Sequence, residues 1–472
     1  MPSYQQIIFS MFELQKFGMK FGLDSMARIL DRLGNPHLGG RYVHIAGTNG
    51  KGSTAAMLSE ILRKSGYNVG LYTSPHLVTF RERILINGRQ ISENSVAALS
   101  AEVWEATDKN SPPTFFEFVT AMALLYFRRQ EVDLSVIEAG LGGRFDSTNV
   151  LSPIIAAITN ISLEHTEHLG KTIKEIAFEK AGIIKPNIPF VGGRIEGEAL
   201  EVIQDKLASC NCPRASILGI DYSRNITATN NGISTFDYHG PNWQLENLSP
   251  ALAGPYQADN AAMAVAIAET LCNLGSQNSL DSLGSLGNLG NLDSSGKSAS
   301  LAFNIDSENI RSGLLSVNWP GRAETFAPGA WPPDGSAKAP LIIDGAHNPG
   351  GAKALLELMA TLPRKRLHLI LGVMADKDIG GVLGPILPQA DRVYLTRPLY
   401  HRAATPEALL DRLTKAFGPP RVPTGLYKTL PEAINTAARE AAPEDLVVIS
   451  GSLFTVGEAR AYLTGAPAVE SN

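Results

Sequence analysis

The sequence has little cysteine. Only Cys210, Cys212 and Cys272 occur in 472 residues, and one residue separates the first two. That excludes a disulfide framework and a zinc-type ligand set, leaving three small apolar side chains. Apolar runs never reach the ~18 residues needed to cross a bilayer. Blocks of lysine and arginine stay short, and the formal net charge is −5, which argues against nucleic acid or an anionic membrane as the main partner. Met1 to Lys20 is amphipathic and contains Glu13, unlike a secretion signal. The expectation is a cytoplasmic protein, long enough for two or three domains of about 150 residues each.

What the chain does have is a glycine-rich turn between a strand and a helix. Tyr42-Val43-His44-Ile45-Ala46 is an apolar β-type run, followed by Gly47-Thr48-Asn49-Gly50-Lys51-Gly52-Ser53-Thr54. Residues Ala55 to Arg63 then read as a helix stopping near Gly66. Glycines admit backbone N–H groups to phosphate oxygens, the lysine adds a point charge, and a helix N-terminus adds partial positive charge. The spacing departs from the standard P-loop, because two residues separate Gly47 from Gly50 and Gly52 intrudes between Lys51 and Ser53. Flanked by strand and helix, the turn reads as an ATP-phosphate cradle rather than a linker.

Further strands are predicted at Val69–Tyr72, Leu134–Ile137 and Ile154–Thr159, and a buried helix at Thr120–Arg129 after Pro112-Pro113. Helical segments between them imply a doubly wound, mostly parallel sheet, whose chemistry collects at the carboxyl ends of the strands. Asn231-Gly232, between two β-type runs, predicts a hairpin. Gly275 to Ser300 is a low-complexity insertion with no assigned function. From Trp319-Pro320-Gly321-Arg322 the alternation restarts, with strands at Leu341–Ile343, Leu367–Leu371, Val393–Leu395 and Leu446–Ile449. That predicts a second, smaller parallel-sheet domain.

Several polar residues sit at predicted strand ends. Glu138 reads equally as a Mg²⁺ ligand and as a capping or solvated acid. His165 reads more readily as a structural histidine than as a ligand. Lys180, near the end of a helix closed by Gly182, reads as a solvated lysine favourable to the dipole. Asp344, in Asp344-Gly345-Ala346-His347-Asn348-Pro349, suits ribose hydroxyls or a substrate ammonium, the alternative being a helix-capping Asp or Asn. Arg322 reads equally as a phosphate contact and a surface arginine; Lys377-Asp378 and Arg402 are weaker candidates of the same kind.

In their order along the chain, these motifs resemble the folylpolyglutamate synthases of the Mur-ligase superfamily, including the bifunctional dihydrofolate synthase type. The resemblance is carried by Gly47–Ser53, Thr73–Leu77, Phe115–Glu117, Glu138–Asn149, Glu164-His165, Glu179–Ile183, Asn260–Ala262, Trp319–Arg322, Asp344–Pro349 and Gly451–Leu453. It implies an α/β protein: a P-loop-type doubly wound domain over 1–318 and a smaller Rossmann-like domain over 319–472. The implied reaction is ATP-dependent addition of L-glutamate to folates or dihydropteroate by a monomer, through an acyl phosphate. Asn49, Gly50, Lys51, Gly52, Ser53, Asn260, Arg322 and Asp344 would bind ATP. Ser74, Glu138, His165 and a carbamylated Lys180 would ligate Mg²⁺ at two sites. Lys51, Lys180 and His347 would be catalytic, with His347 near the incoming glutamate. Phe21, Gly22, Leu23, Phe115, Phe116, Glu117, Phe145, Asp146 and Ser147 would contact the pterin substrate. Three departures stand out: Glu164 where the family usually has Asp, Tyr256-Gln257 for His-Gln, and the insertion. Other readings are a Mur-type cell-wall peptide ligase, against which Phe115–Glu117 and Thr73–Leu77 favour the folate branch, and a nucleotide-gated binding protein, which a requirement for free glutamate in phosphate release would separate.

Overall fold

All five residues of β1 (Tyr42–Ala46) are buried, as expected of a central parallel strand covered on both faces. Alternate side chains serve opposite layers: Val43 and Ile45 join one core and Tyr42 another. The computed structural model describes residues 3–18, 22–108, 110–276, 303–375, 379–467 and 469–470. Phe21, Lys377-Asp378 and the insertion from 277 onward therefore lie outside the described residues.

The first sheet contains β1, β2 (Val69–Tyr72), β3 (Ile84–Ile86), β4 (Arg89–Gln90), β5 (Leu134–Glu138), β6 (Ile155–Asn160), β7 (Phe190–Arg194) and β8 (Ala215–Ile217). Its spatial order is β4-β3-β2-β5-β1-β6-β7-β8. Only the β2–β3 and β3–β4 pairings are antiparallel. The helices Lys51–Lys64 and Tyr256–Ser276 pack on one face and the helix Phe115–Arg129 on the other. The chain leaves β1 toward β2, returns to β5 beside β1, and then continues on the far side through β6. The loop after β1 thus lies at the switch point, between the loops after β5 and β6, where doubly wound sheets bind ligands.

The hairpin forms as predicted. β9 (Ser223–Asn230) and β10 (Ile233–His239) flank Asn231 and Gly232, both at positive φ, as a two-residue type I′ turn requires. With β11 (Gln244–Leu248) they make a three-stranded antiparallel sheet. The third sheet holds β12 (Glu324–Phe326), β13 (Leu341–Ile343), β14 (Leu367–Leu371), β15 (Arg392–Leu395), β16 (Thr424–Leu426) and β17 (Leu446–Ser450). Its order is β12-β13-β17-β14-β15-β16, with only β12 antiparallel.

Two helix boundaries differ from the sequence reading. The helix after Pro112-Pro113 begins at Phe115, because Thr114 and Glu117 form a capping box, two reciprocal bonds that start a helix early. The helix after the glycine turn begins at Lys51. Strands β3, β4, β7, β8, β11, β12 and β16 were not predicted; most are short, and β7 contains Gly192-Gly193, which weakens any β signal. No helix among the described residues is long and apolar enough to cross a membrane.

Candidate active site

The turn after β1 is rigidly tied to the end of β6. The Asn160 side chain accepts from the Asn49 N–H at 3.0 Å and donates to the Asn49 carbonyl at 2.9 Å. The Thr159 hydroxyl donates to the same carbonyl at 2.7 Å. Gly47 and Gly50 have φ of 146° and 84°, values that L side chains rarely adopt. A Cβ would also strike the Thr159 side chain at Gly47 and the Asn260 side chain at Gly50. Gly50 is the N-cap of the following helix and supplies no side-chain cap. The first N–H groups of that helix have no intrahelical acceptor, and Gly50, Lys51, Gly52 and Ser53 line a cavity of about 820 Å³. An uncapped helix N-terminus opening into a cavity is an anion site. Lys51 folds back over the turn, donating to the carbonyls of Gly47 and Thr48 at 3.1 and 3.0 Å.

Lys180 corrects the sequence reading. It is buried, and its amine donates to the Gly47 carbonyl at 2.7 Å. Burial, and then the charge of Lys51, lower its pKa to about 7. The signal was present in the sequence: Ile176, Ala177 and Ala181 are buried on the same helix, so Lys180 lies on its apolar face.

Glu138 ends β5 in the same cavity and is buried; its Oε2 accepts the Ser74 N–H at 3.1 Å. Burial raises its pKa, against the opposing charge of Lys51. It makes no ion pair among the described residues. A buried carboxylate, with Ser74 lining the same cavity, supplies hard oxygen donors of the kind Mg²⁺ takes. No group of three His, Cys, Asp or Glu side chains that could hold a metal occurs among the described residues, so phosphate oxygens or water would complete the shell. His165, at φ 49°, lines the cavity as the N-cap of a four-residue helix.

The C-terminal part closes the other side. Asn348 and Asn49 exchange amide hydrogen bonds of 2.9 and 3.4 Å, and the Asn348 amide also donates to Glu164 at 2.7 Å. His347 Nε2 lies 3.6 Å from the same Glu164 oxygen. Burial alone would raise the pKa of Glu164, but His347, Lys51 and Asn348 together hold it at about 2. The Asp344 carboxylate accepts from the N–H groups of Ala323 and Ala346, each at 2.9 Å, pinning the Arg322 turn to β13. Arg322, Asp344, His347 and Asn260 all line the 820 Å³ cavity.

A second cavity of about 610 Å³ adjoins the first at Ser74, Pro75 and the Gly140–Gly142 turn. Phe115, Phe116 and Phe145 line it, with Arg83, Arg144 and Asp146. Asp146 is buried, and its carboxylate accepts from the N–H groups of Leu141 and Thr148 at 2.8 and 3.0 Å and from the Thr148 hydroxyl.

Residues 45–268 match the Mur ligase middle domain, and residues 334–453 match the Mur ligase, glutamate ligase domain. The folylpolyglutamate synthase of Lacticaseibacillus casei is 33% identical, over 93% of each chain. The chain belongs to the folylpolyglutamate synthase family. A Haloferax volcanii protein, named "Probable bifunctional folylpolyglutamate synthase/dihydropteroate synthase", is 34% identical over 98% of this chain but only 51% of its own length. The chain therefore spans about half the length of that relative. Among solved structures, that of E. coli FolC in complex with DHPP and ADP is similar at a TM-score of 0.81 and 27% identity, over 98% of this chain and 99% of the other.

Within this folylpolyglutamate synthase fold, the residues named for ATP, metal and catalysis come together in the first cavity. Phe115, Phe116, Phe145, Asp146 and Ser147 come together in the second. Gly22, Leu23 and Glu117 do not line it. Glu117 is engaged in capping its helix, and Gly22-Leu23 lead into the helix Asp24–Arg32. Sequence reasoning names neither Arg83 nor Arg144: Arg83 lies outside every motif singled out there, and Arg144, although inside Glu138–Asn149, is passed over for its neighbours Phe145, Asp146 and Ser147.

Proposed function

We propose that the chain is an ATP-dependent ligase that joins L-glutamate to a folate, and also to dihydropteroate, through an acyl phosphate. The observation that carries this reading is the junction of the two cavities. A phosphate-binding helix end with Lys51 opens into one, aromatic rings line the other, and they meet at Ser74, Pro75 and Gly140–Gly142. The E. coli relative's complex with both DHPP and ADP supports a nucleotide and a second ligand being held at the same time.

In this reading the acceptor lies in the second cavity with its terminal carboxylate at the junction. A carboxylate oxygen attacks the γ-phosphorus of ATP, and the bond to ADP breaks. The amine of free L-glutamate then attacks the acyl carbon, phosphate leaves with one acceptor oxygen, and the ammonium proton passes to solvent. No protein nucleophile is needed. The open N–H groups at Gly50 to Ser53, with Lys51 and Arg322, stabilise phosphoryl charge, and the cavity walls exclude water from the acyl phosphate. Asn260 and Asp344 hold the nucleotide side, and His347 lies where glutamate enters.

Glu138, Ser74 and His165 would hold Mg²⁺, with Lys180 as a further ligand at a second site; when bound, the metal neutralises phosphate charge. An amine with a pKa of about 7 is largely neutral just above that pH, so Lys180 can add CO₂ and become a carbamate. Residues 1–318 and 319–472 act as two bodies of one cytoplasmic monomer, closing through Asn49, Asn348 and Glu164.

The test is phosphate release from ATP with Mg²⁺, L-glutamate and either tetrahydrofolate or dihydropteroate. Release that needs all components, with each acceptor gaining one glutamyl mass, supports the reading. Release with tetrahydrofolate alone removes the dihydropteroate activity. Glutamate-independent release points to a nucleotide-gated binding protein.

A further inference from the structure

We propose that Arg83 holds the α-carboxylate of a glutamyl tail on the acceptor, making it a specificity-determining residue of the second cavity. The inference rests on the ligase reading above and names the part of the acceptor that this cavity grips.

Arg83 ends the short turn Phe80–Arg83 and is 7% exposed, yet it lines the second cavity. Its Nε donates to His76 Nδ1 at 2.8 Å, and His76 Nε2 in turn donates to the Glu470 carbonyl at 2.7 Å. That relay fixes the histidine tautomer. Burial, and then the Arg83 charge, hold the His76 pKa at about 3. The guanidinium is therefore oriented by a neutral acceptor, and it lies over the Phe115 ring at 5.2 Å.

Among the described residues Arg83 makes no ion pair, and the surrounding carboxylates are engaged elsewhere. Glu82 accepts the N–H groups of Leu77, Val78 and Thr79. Glu138 accepts that of Ser74, and Glu179 pairs with Arg144 at 2.6 Å. A buried guanidinium without a counter-ion is costly. One lining a substrate cavity, with its outer nitrogens in no hydrogen bond among the described residues, is suited to a ligand carboxylate, which its planar fork matches bidentately. Arg83 lines the second cavity and not the first. The carboxylate that attacks ATP must reach Lys51 in the first cavity, so the one beside Arg83 is the non-reacting α-carboxylate.

The test compares tetrahydropteroylglutamate with its 4-aminobutyrate analogue, which keeps the reacting carboxylate at the same reach and lacks the α-carboxylate. Wild type should favour the glutamyl acceptor by about tenfold or more in kcat/KM, mainly through KM, as for a charge-assisted pair. Arg83→Gln should shrink that preference to within about threefold, chiefly by raising the KM for the glutamyl acceptor; Arg83→Lys, which keeps the charge without the fork, should retain part of it. A wild type indifferent to the α-carboxylate overturns the proposal, and this comparison needs no folded variant. An Arg83→Gln enzyme that keeps the full preference overturns it too. Failure of wild type on both acceptors would overturn the ligase reading itself.

Discussion

The two cavities share an edge and little else. The first is made by loops at the carboxyl ends of β1, β5 and β6 together with residues of the C-terminal part, and two of its lysines, Lys51 and Lys180, sit at the glycine-rich turn. Both lysines, Lys51 and Lys180, donate to the one carbonyl of Gly47. The second is walled by side chains from the turn ending at Arg83, the helix starting at Phe115 and the loop at Arg144 to Ser147. A phosphate needs clustered N–H donors, which a short glycine-rich segment can supply by itself. A flat, partly apolar acceptor needs rings and charges from several segments, which only the folded chain brings together.

The strongest way to separate the cavities is to damage the first alone. Lys51→Ala should lower ligation by roughly a thousandfold, as for loss of a cation at a transferring phosphoryl group. Acceptor binding, followed by fluorescence titration without nucleotide, should stay within about threefold. Equal loss of both would show that the cavities do not act independently.

Lys180→Met should lower ligation by about a hundredfold, the scale on which ligand-shell changes act. It should also alter the dependence of stability on pH. The Lys180 amine titrates near 7 in the folded protein against an ordinary 10.5. Between those values the unfolded chain binds the proton and the native protein does not, so this group makes stability rise with pH across that window. Melting temperatures at pH 7 and pH 9 should show a smaller rise in Lys180→Met than in wild type; equal rises would place the amine in water.

The contrast also explains what was legible. The cradle, the hairpin and the parallel sheets were readable because each is encoded within a few consecutive residues: Gly47 to Ser53, Asn231-Gly232, and apolar runs such as Leu134 to Ile137. Lys180 was read as solvated because a helix-dipole argument considers the end of a helix and ignores the apolar face on which Ile176 and Ala177 place it. Edge strands such as β4, with two residues, carry too little pattern to detect. Arg83 gave no sign in the sequence: its distinction is that it makes no ion pair among the described residues, and that depends on where Glu82, Glu138 and Glu179 direct their carboxylates.

Two smaller changes refine the comparison. Glu164→Gln removes the charge that holds His347 and Asn348 against the Asn49 turn, and should raise the KM for L-glutamate by about tenfold, the scale for one charge-assisted bond. The acceptor KM should not change. Phe116→Leu, confined to the second cavity, should raise the acceptor KM by about threefold to fivefold while the KM for ATP stays constant, because one ring contact is worth ~1 kcal/mol. Steady-state kinetics with each substrate varied in turn checks both.

The central claim is that a carboxylate crosses from the second cavity to attack ATP in the first. Oxygen-18 placed in the γ-carboxylate of tetrahydropteroylglutamate tests this most directly. The account predicts that each turnover with ATP and L-glutamate transfers one labelled oxygen into the released phosphate. Phosphate free of label, formed while a glutamyl product accumulates, would contradict it.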